Sequence, residues 1–182
     1  PHLIKIAMLH YQFETIHPFL DGNGRVGRLM ITLYLVENDL LSRPALYLSD
    51  YLEKNRDAYY RHLTEIREKN EMIPWIKFFL KGVIVTAENA KNTFIKIIEL
   101  QKEMETRLRS FGSRAEKINS IINAFYESPI LSVKDIVAKT GIPDKTTRNL
   151  LELMREDNLI KEMTGYERNR LFIFEKYFNL FK

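Results

Sequence analysis

The stretch His17-Pro18-Phe19-Leu20-Asp21-Gly22-Asn23-Gly24-Arg25-Val26-Gly27-Arg28 is the one from which the rest of the chain can be read. Pro18 blocks simple continuation of a preceding helix, and the pair Gly22 and Gly24 marks a tight loop. From about Gly24, Leu29, Met30, Leu33, Tyr34 and Val36 recur at helical spacing. A glycine-rich loop that opens a helix leaves backbone N–H groups free, and the helix dipole adds partial positive charge there, which makes an anion site. Arg25 and Arg28 fall on neighbouring positions of one turn, and guanidinium groups suit bidentate contact with phosphate. Asp21 supplies an anionic oxygen where Mg2+ would be shared with phosphate oxygens. His17 is the nearby group that can take a proton near neutral pH. Each part has a plainer reading: a histidine capping a helix, a Gly-Asn-Gly turn, two solvated arginines. Their concentration in twelve residues implies phosphoryl or nucleotidyl transfer.

Upstream, residues 3–16 read as a helix, with Leu3, Ile6, Ala7, His10, Tyr11 and Phe13 approximating one face. The spacing of His10, Glu14 and His17 also admits a metal-site reading, against which stands the break at Pro18. Downstream, the helix begun at Gly24 stops near Asn38-Asp39, and a connection begins at Arg43-Pro44. Residues 49–69 read as one helix with Ser49 or Asp50 as its cap. Pro74 suits the first turn of the next, and 75–111 reads as one or two long helices. Phe94, Ile97, Met104, Leu108 and Phe111 form an apolar stripe interrupted by Gln101, as in a connector between domains. Phe111-Gly112-Ser113 is the expected boundary, giving domains 1–111 and 112–182. Three short helices (about 114–127, 132–139 and 144–157) then precede β-type runs at 159–163 and 170–174, joined across Thr164-Gly165-Tyr166. The expected fold is mainly α: a partial helical bundle, then a winged helix-turn-helix with a small β-hairpin.

Composition sets outer limits. The chain has 182 residues, 45% apolar and 29% charged, which suits a globular protein and not a disordered one. It has no cysteine, which excludes disulfides, thiolate nucleophiles and Cys-ligated metals. No apolar run reaches the roughly 18 residues of a membrane-spanning helix and no signal peptide is visible, so the expected location is cytoplasmic, away from membranes. The net charge is +4, shared evenly between the parts before and after Gly112, so charge alone does not argue for nucleic acid.

Residues 17–28 resemble the signature of the Fic (Fic/Doc) family, His-Pro-Phe-x-Asp/Glu-Gly-Asn-Gly-Arg-x-x-Arg, at all nine specified positions. The preceding Leu9-His10-Tyr11-Gln12-Phe13-Glu14-Thr15-Ile16 resembles the helix before that motif, and the likeness covers roughly residues 1–110. It implies a protein adenylyltransferase (AMPylator), a nucleotidyltransferase that moves AMP from ATP–Mg2+ to a Ser, Thr or Tyr hydroxyl of a target protein. It implies that His17 deprotonates the hydroxyl and Asp21 holds Mg2+ against the α- and β-phosphates. Asn23, Gly24 and Arg25 would cradle phosphate, Arg28 would meet the γ-phosphate or an inhibitory Glu, and Phe19 would anchor the loop in the core, leaving Leu20 as filler. The candidate nucleotide-binding set is Asp21, Gly22, Asn23, Gly24, Arg25, Gly27 and Arg28. Tyr59 and Tyr60 join it by an implied place beside the adenine, although Tyr59, Leu63 and Ile66 equally fit a core-facing stripe. Arg67 stands where some relatives carry an Asn. Gly24 separates the chain from Doc-type kinases, which resemble this pattern but carry Lys at that position. The family's flap and inhibitory helix are not found; with Pro1 sixteen residues before His17, we expect a C-terminal fragment whose own activity is open.

Residues 132–157 read as a helix-turn-helix around Gly141-Ile142-Pro143. Lys145, Thr146, Thr147, Arg148 and Asn149 stand where a recognition helix meets a groove, with Arg168 and Arg170 on the wing. Many winged helices instead contact proteins or dimerise, so DNA, a protein partner and a homodimer all stay open. The rival to the enzyme is a winged-helix DNA-binding regulator with a nucleotide-sensing, non-catalytic Fic part.

Overall fold

The computed structural model describes residues 1–42, 47–166 and 169–181. Arg43, Pro44 and Arg168, named above, lie outside them. The chain divides into two compact units, Pro1–Asn92 and Thr93–Lys182. The bend expected as a boundary is present at Gly112 (φ 56°, ψ −128°), but the division falls earlier, inside a long helix.

The first unit contains α1 (His2–Ile16), α2 (Asn23–Glu37), α3 (Leu48–Lys54), α4 (Arg56–Lys69) and the start of α5 (Met72–Leu108). The helix expected over 49–69 is two. The backbone leaves helical geometry at Asn55 (φ −115°, ψ 34°), whose N–H and side-chain amide both donate to the Tyr51 carbonyl (3.1 and 2.8 Å). Ser49 and Asp50 are not caps, since α3 starts at Leu48 after Tyr47. Ile6 and Ala7 of α1, Ile31 and Leu35 of α2, Tyr59, Leu63 and Ile66 of α4, and Trp75 and Phe79 of α5 close one core. The stripe Tyr59, Leu63, Ile66 is thus a core face, as its spacing indicated. Trp75 ties α5 to α1 by donating its indole N–H to the Ala7 carbonyl at 3.0 Å.

The second unit takes the end of α5, whose Leu100, Met104 and Leu108 are buried in its core. It continues with α6 (Ala115–Glu127), β1 (Ile130–Ser132), α7 (Val133–Thr140), α8 (Asp144–Glu156), β2 (Lys161–Glu162), β3 (Leu171–Ile173) and α9 (Glu175–Phe178). Ser132 and Asp135 form a reciprocal capping box at the start of α7, and Gly141 in the left-handed region (φ 69°) ends it. Pro143 then precedes α8. The expected hairpin is the antiparallel β2–β3 pair, to which β1 adds a third strand, in the order β1-β3-β2. Leu131 stands opposite Phe172 and Ile130 opposite Ile173. The strands are shorter than their apolar runs, and Leu159, Ile160 and Phe174 beside them join Leu131 and Phe172 in the same core.

Candidate functional site

The loop begins with backbone in an unusual state. His17 ends α1 in the left-handed region (φ 50°, ψ 57°), with its N–H bonded to the Phe13 carbonyl. That geometry turns the chain sharply before Pro18 and leaves the imidazole exposed. His17 Nδ1 lies 3.4 Å from the Glu14 carbonyl oxygen. A carbonyl only accepts, so this contact holds the proton on Nδ1 and leaves the Nε2 lone pair free.

The loop is pinned from within. Asn23, 2% exposed, accepts the Phe19 N–H through Oδ1 (2.9 Å) and donates to the Phe19 carbonyl through Nδ2 (2.6 Å). Its side chain is therefore a clasp on the loop, and its part in any cradle is through its backbone. Phe19 does not enter the core as expected; it is half exposed and its ring lies tilted against that of Phe13, with centroids 6.2 Å apart. Gly22 stands before α2 in the left-handed region (φ 84°), with no side chain capping that helix and no acidic residue in its first turn. Asp21 Oδ1 accepts the Gly22 N–H (2.6 Å), and Oδ2 meets the Arg25 guanidinium at 3.3 Å.

These groups line a cleft of about 400 Å³ with His17, Leu20, Asp21, Gly22, Asn23, Gly24, Arg25 and Arg28 on one side and Leu52, Glu53, Arg56, Tyr59 and Tyr60 on the other. Arg28 reaches over Gly24: a Cβ there would sit 3.1 Å from its NH1. Gly27 is not in the cleft. It lies against α1, where a Cβ would come within 2.6 Å of Glu14 Oε1 and 3.2 Å of His10 Cε1. Its smallness allows α1 and α2 to close, which is a packing role and not a binding one.

Beneath the cleft lies a buried polar pair. His10, fully buried, meets the Gly27 carbonyl through Nδ1 (3.1 Å) and the Tyr59 hydroxyl through Nε2 (3.0 Å). The carbonyl requires a proton on Nδ1, so Nε2 accepts the tyrosine O–H. Burial lowers the His10 pKa to about 4 and pushes the Tyr59 phenol far up, keeping both neutral. His10 is thus a packed ring with both nitrogens committed. Among the described residues no three His, Asp or Glu side chains form a metal cluster, so the His10–Glu14–His17 reading fails. Tyr59 lines the cleft only with its edge, being 5% exposed, while Tyr60 is half exposed under the Arg56 guanidinium, 5.6 Å from its ring centre. Glu53 and Arg56 escaped the sequence reading, although the Arg56–Tyr60 spacing of four carried the signal. Arg67 bonds back to the Leu63 carbonyl (3.4 Å) and does not line the cleft.

The sequence pattern of the Fic/DOC family matches residues 1–35. This N-terminal segment is a Fic/DOC family segment. Residues of the chain are 44% identical over 64 positions to a probable protein adenylyltransferase of Aquifex aeolicus (strain VF5), covering 35% of the chain and 18% of that protein. They are 35% identical over 129 positions to the protein adenylyltransferase Fic of Drosophila willistoni, covering 67% of the chain and 24% of the relative. The corresponding protein of Drosophila erecta is 29% identical over the same length, 67% of the chain and 25% of the relative. The chain spans about a fifth to a quarter of the length of these curated relatives.

In the second unit, Lys145, Arg148 and Asn149 are exposed at the start of α8. Thr147 is not available for contact: it is fully buried and its hydroxyl donates to the Ile142 carbonyl at 3.1 Å. Arg148 is held by Asp144 (2.6 Å), and Arg155 and Arg170 both by Glu152 (2.8 and 2.5 Å). No helix of the described residues is long and apolar enough to cross a membrane.

Proposed function

We infer that the first unit is the nucleotide-handling part of a protein adenylyltransferase. The observation that supports this most is the cleft itself: an exposed imidazole with a free Nε2, the uncapped start of α2 and two guanidinium groups share one 400 Å³ space. The triphosphate of ATP lies over the backbone of Gly22, Asn23 and Gly24, with Arg25 and Arg28 on its oxygens and the Tyr60 side supplying an aromatic wall for the base. A hydroxyl of the target protein attacks the α-phosphorus. Its proton passes to His17 Nε2, the new O–P bond forms, and the bond from α-phosphorus to the bridging oxygen breaks, releasing pyrophosphate with the electron pair. Asp21, with Glu53 also lining the cleft, fits a Mg2+ that would take its other ligands from phosphate and water. When bound, that ion neutralises charge on the phosphates. The base contributes about 10²–10⁴ in rate, and the rest is positioning and charge neutralisation.

The protein incubated with ATP labelled at the α-phosphate and candidate protein acceptors transfers label to a hydroxyl side chain. Label transfer unchanged by His17→Ala overturns the reading, and transfer only from the γ-phosphate assigns a kinase instead.

We read the second unit, from α6 through β3, as a winged helix serving protein contact. The support is that carboxylates pair with Arg148 and Arg170, two of the cations the DNA-binding reading would use, and with Arg155. A salt-dependent DNA shift lost in Lys145→Ala/Arg148→Ala would reassign it to the DNA-binding alternative.

A further inference from the structure

The cleft has two kinds of lining. The loop and the start of α2 bring backbone N–H groups and guanidinium, whereas α3 and α4 bring Leu52, Glu53, Arg56, Tyr59 and Tyr60. Leu52 and Tyr59 belong to the core of the unit. The Tyr60 ring is half exposed, with the Tyr59 ring 5.1 Å away and the Arg56 guanidinium 5.6 Å from its centre. A ring held this way is a platform for a planar heterocycle. Glu53 is the one carboxylate among these five residues, and it is exposed. The two cations close to it in the chain are engaged elsewhere: Lys54 meets Asp50 at 2.9 Å, and Arg56 lies over Tyr60. Glu53 itself has no hydrogen bond or ion pair among the described residues. An ionised carboxylate accepts hydrogen bonds and donates none. Beside an aromatic platform it therefore selects a base whose edge donates. Adenine offers such a donor in its 6-amino group, on the edge away from the sugar.

We propose that Glu53 determines base specificity in this cleft: its carboxylate accepts a hydrogen bond from the 6-amino group of an adenine stacked on Tyr60. That a base enters the cleft at all rests on the nucleotide reading above; the choice among bases rests on Glu53. A polar group built to meet one substrate group discriminates against the analogue that lacks it.

The test is a binding cycle on the 182-residue chain, read by calorimetry with Mg2+ present. ATP is compared with purine riboside triphosphate, which keeps the ring system, sugar and phosphates and lacks the 6-amino group. The wild-type chain binds ATP about tenfold more tightly, the effect of one hydrogen bond to a charged group. Glu53→Ala binds the two triphosphates equally. Glu53→Gln, which keeps an acceptor oxygen, retains part of the preference. Tyr60→Ala weakens both ligands by the same factor, about tenfold, because stacking does not sense the amine. Glu53 is exposed, so its variants fold, and unchanged Trp75 emission confirms it. A preference for ATP that persists in full in Glu53→Ala overturns the proposal and leaves the nucleotide reading standing. A preference for GTP over ATP that Glu53→Ala erases assigns the edge to guanine and overturns the adenine assignment. Failure of the wild-type chain to bind either ATP or purine riboside triphosphate overturns the nucleotide reading and the proposal together.

Discussion

The starts of α2 and α7 are the same structural problem with opposite solutions. α7 closes its own free N–H groups: the Ser132 hydroxyl accepts from the Asp135 N–H, and the Asp135 carboxylate answers the Ser132 N–H at 2.8 Å. α8 likewise brings Asp144 in its first turn. α2 has a glycine where the capping side chain would be, no carboxylate in its first turn, and two arginines close behind. An uncapped helix end alone is ordinary. Placed beside an exposed imidazole and two cations, it is positive charge held ready for something anionic.

The comparison breaks most visibly at His17. His17→Ala lowers label transfer by about 10²–10⁴ and leaves the urea midpoint of both units unchanged, because the ring is exposed and unpacked. An equal loss on substituting Asp135 would erase the contrast.

The next largest effect separates the units by pH. All four histidines lie in the first unit. His10 has a folded pKa of about 4 against 6.5 unfolded, so the unfolded chain binds the extra proton and stability falls as pH drops below about 6.5. His10 alone removes about 2 kcal/mol between pH 7 and 5. Glu14, raised in the folded state, works the other way by favouring the folded form once protonated, and trims that loss. Urea titrations followed by Trp75, the sole tryptophan, read the first unit. Hydrogen exchange in α6 and α8 reads the second, which has no histidine and holds its midpoint over this range.

Smaller again is Asn23→Ala. It leaves both Phe19 backbone groups without their partner, costs about 1–2 kcal/mol, and lowers transfer more than it lowers the melting point, since the loop that carries the cleft is what loosens. The mildest is Ser132→Ala, about 1 kcal/mol from the second unit by calorimetry, with label transfer untouched.

Most of this architecture could be read in advance where a residue's neighbours along the chain decide its state. Pro18, Gly22 and Gly24 place the turn, Gly141-Ile142-Pro143 places the second one, and Tyr59, Leu63 and Ile66 announce a buried face. What escaped depends on partners far off in sequence. β1 is a strand because Leu131 meets Phe172 across the sheet. A helix breaks at Asn55 (φ −115°, ψ 34°), which spacing does not reveal. Gly27 looked like part of the glycine loop and is fixed by α1 pressing on it. Thr147 sits in a run of polar residues and is buried by the turn that precedes it. The resemblance placed Asn23 in the phosphate cradle without showing that its amide is spent on Phe19.

The left-handed backbone at His17 (φ 50°) carries an evolutionary consequence. Glycine or asparagine adopts that conformation with less strain than an imidazole-bearing residue does. Laboratory selection of this chain for heat resistance alone should therefore drift position 17 toward Gly or Asn, trading the cleft's proton acceptor for a more comfortable corner.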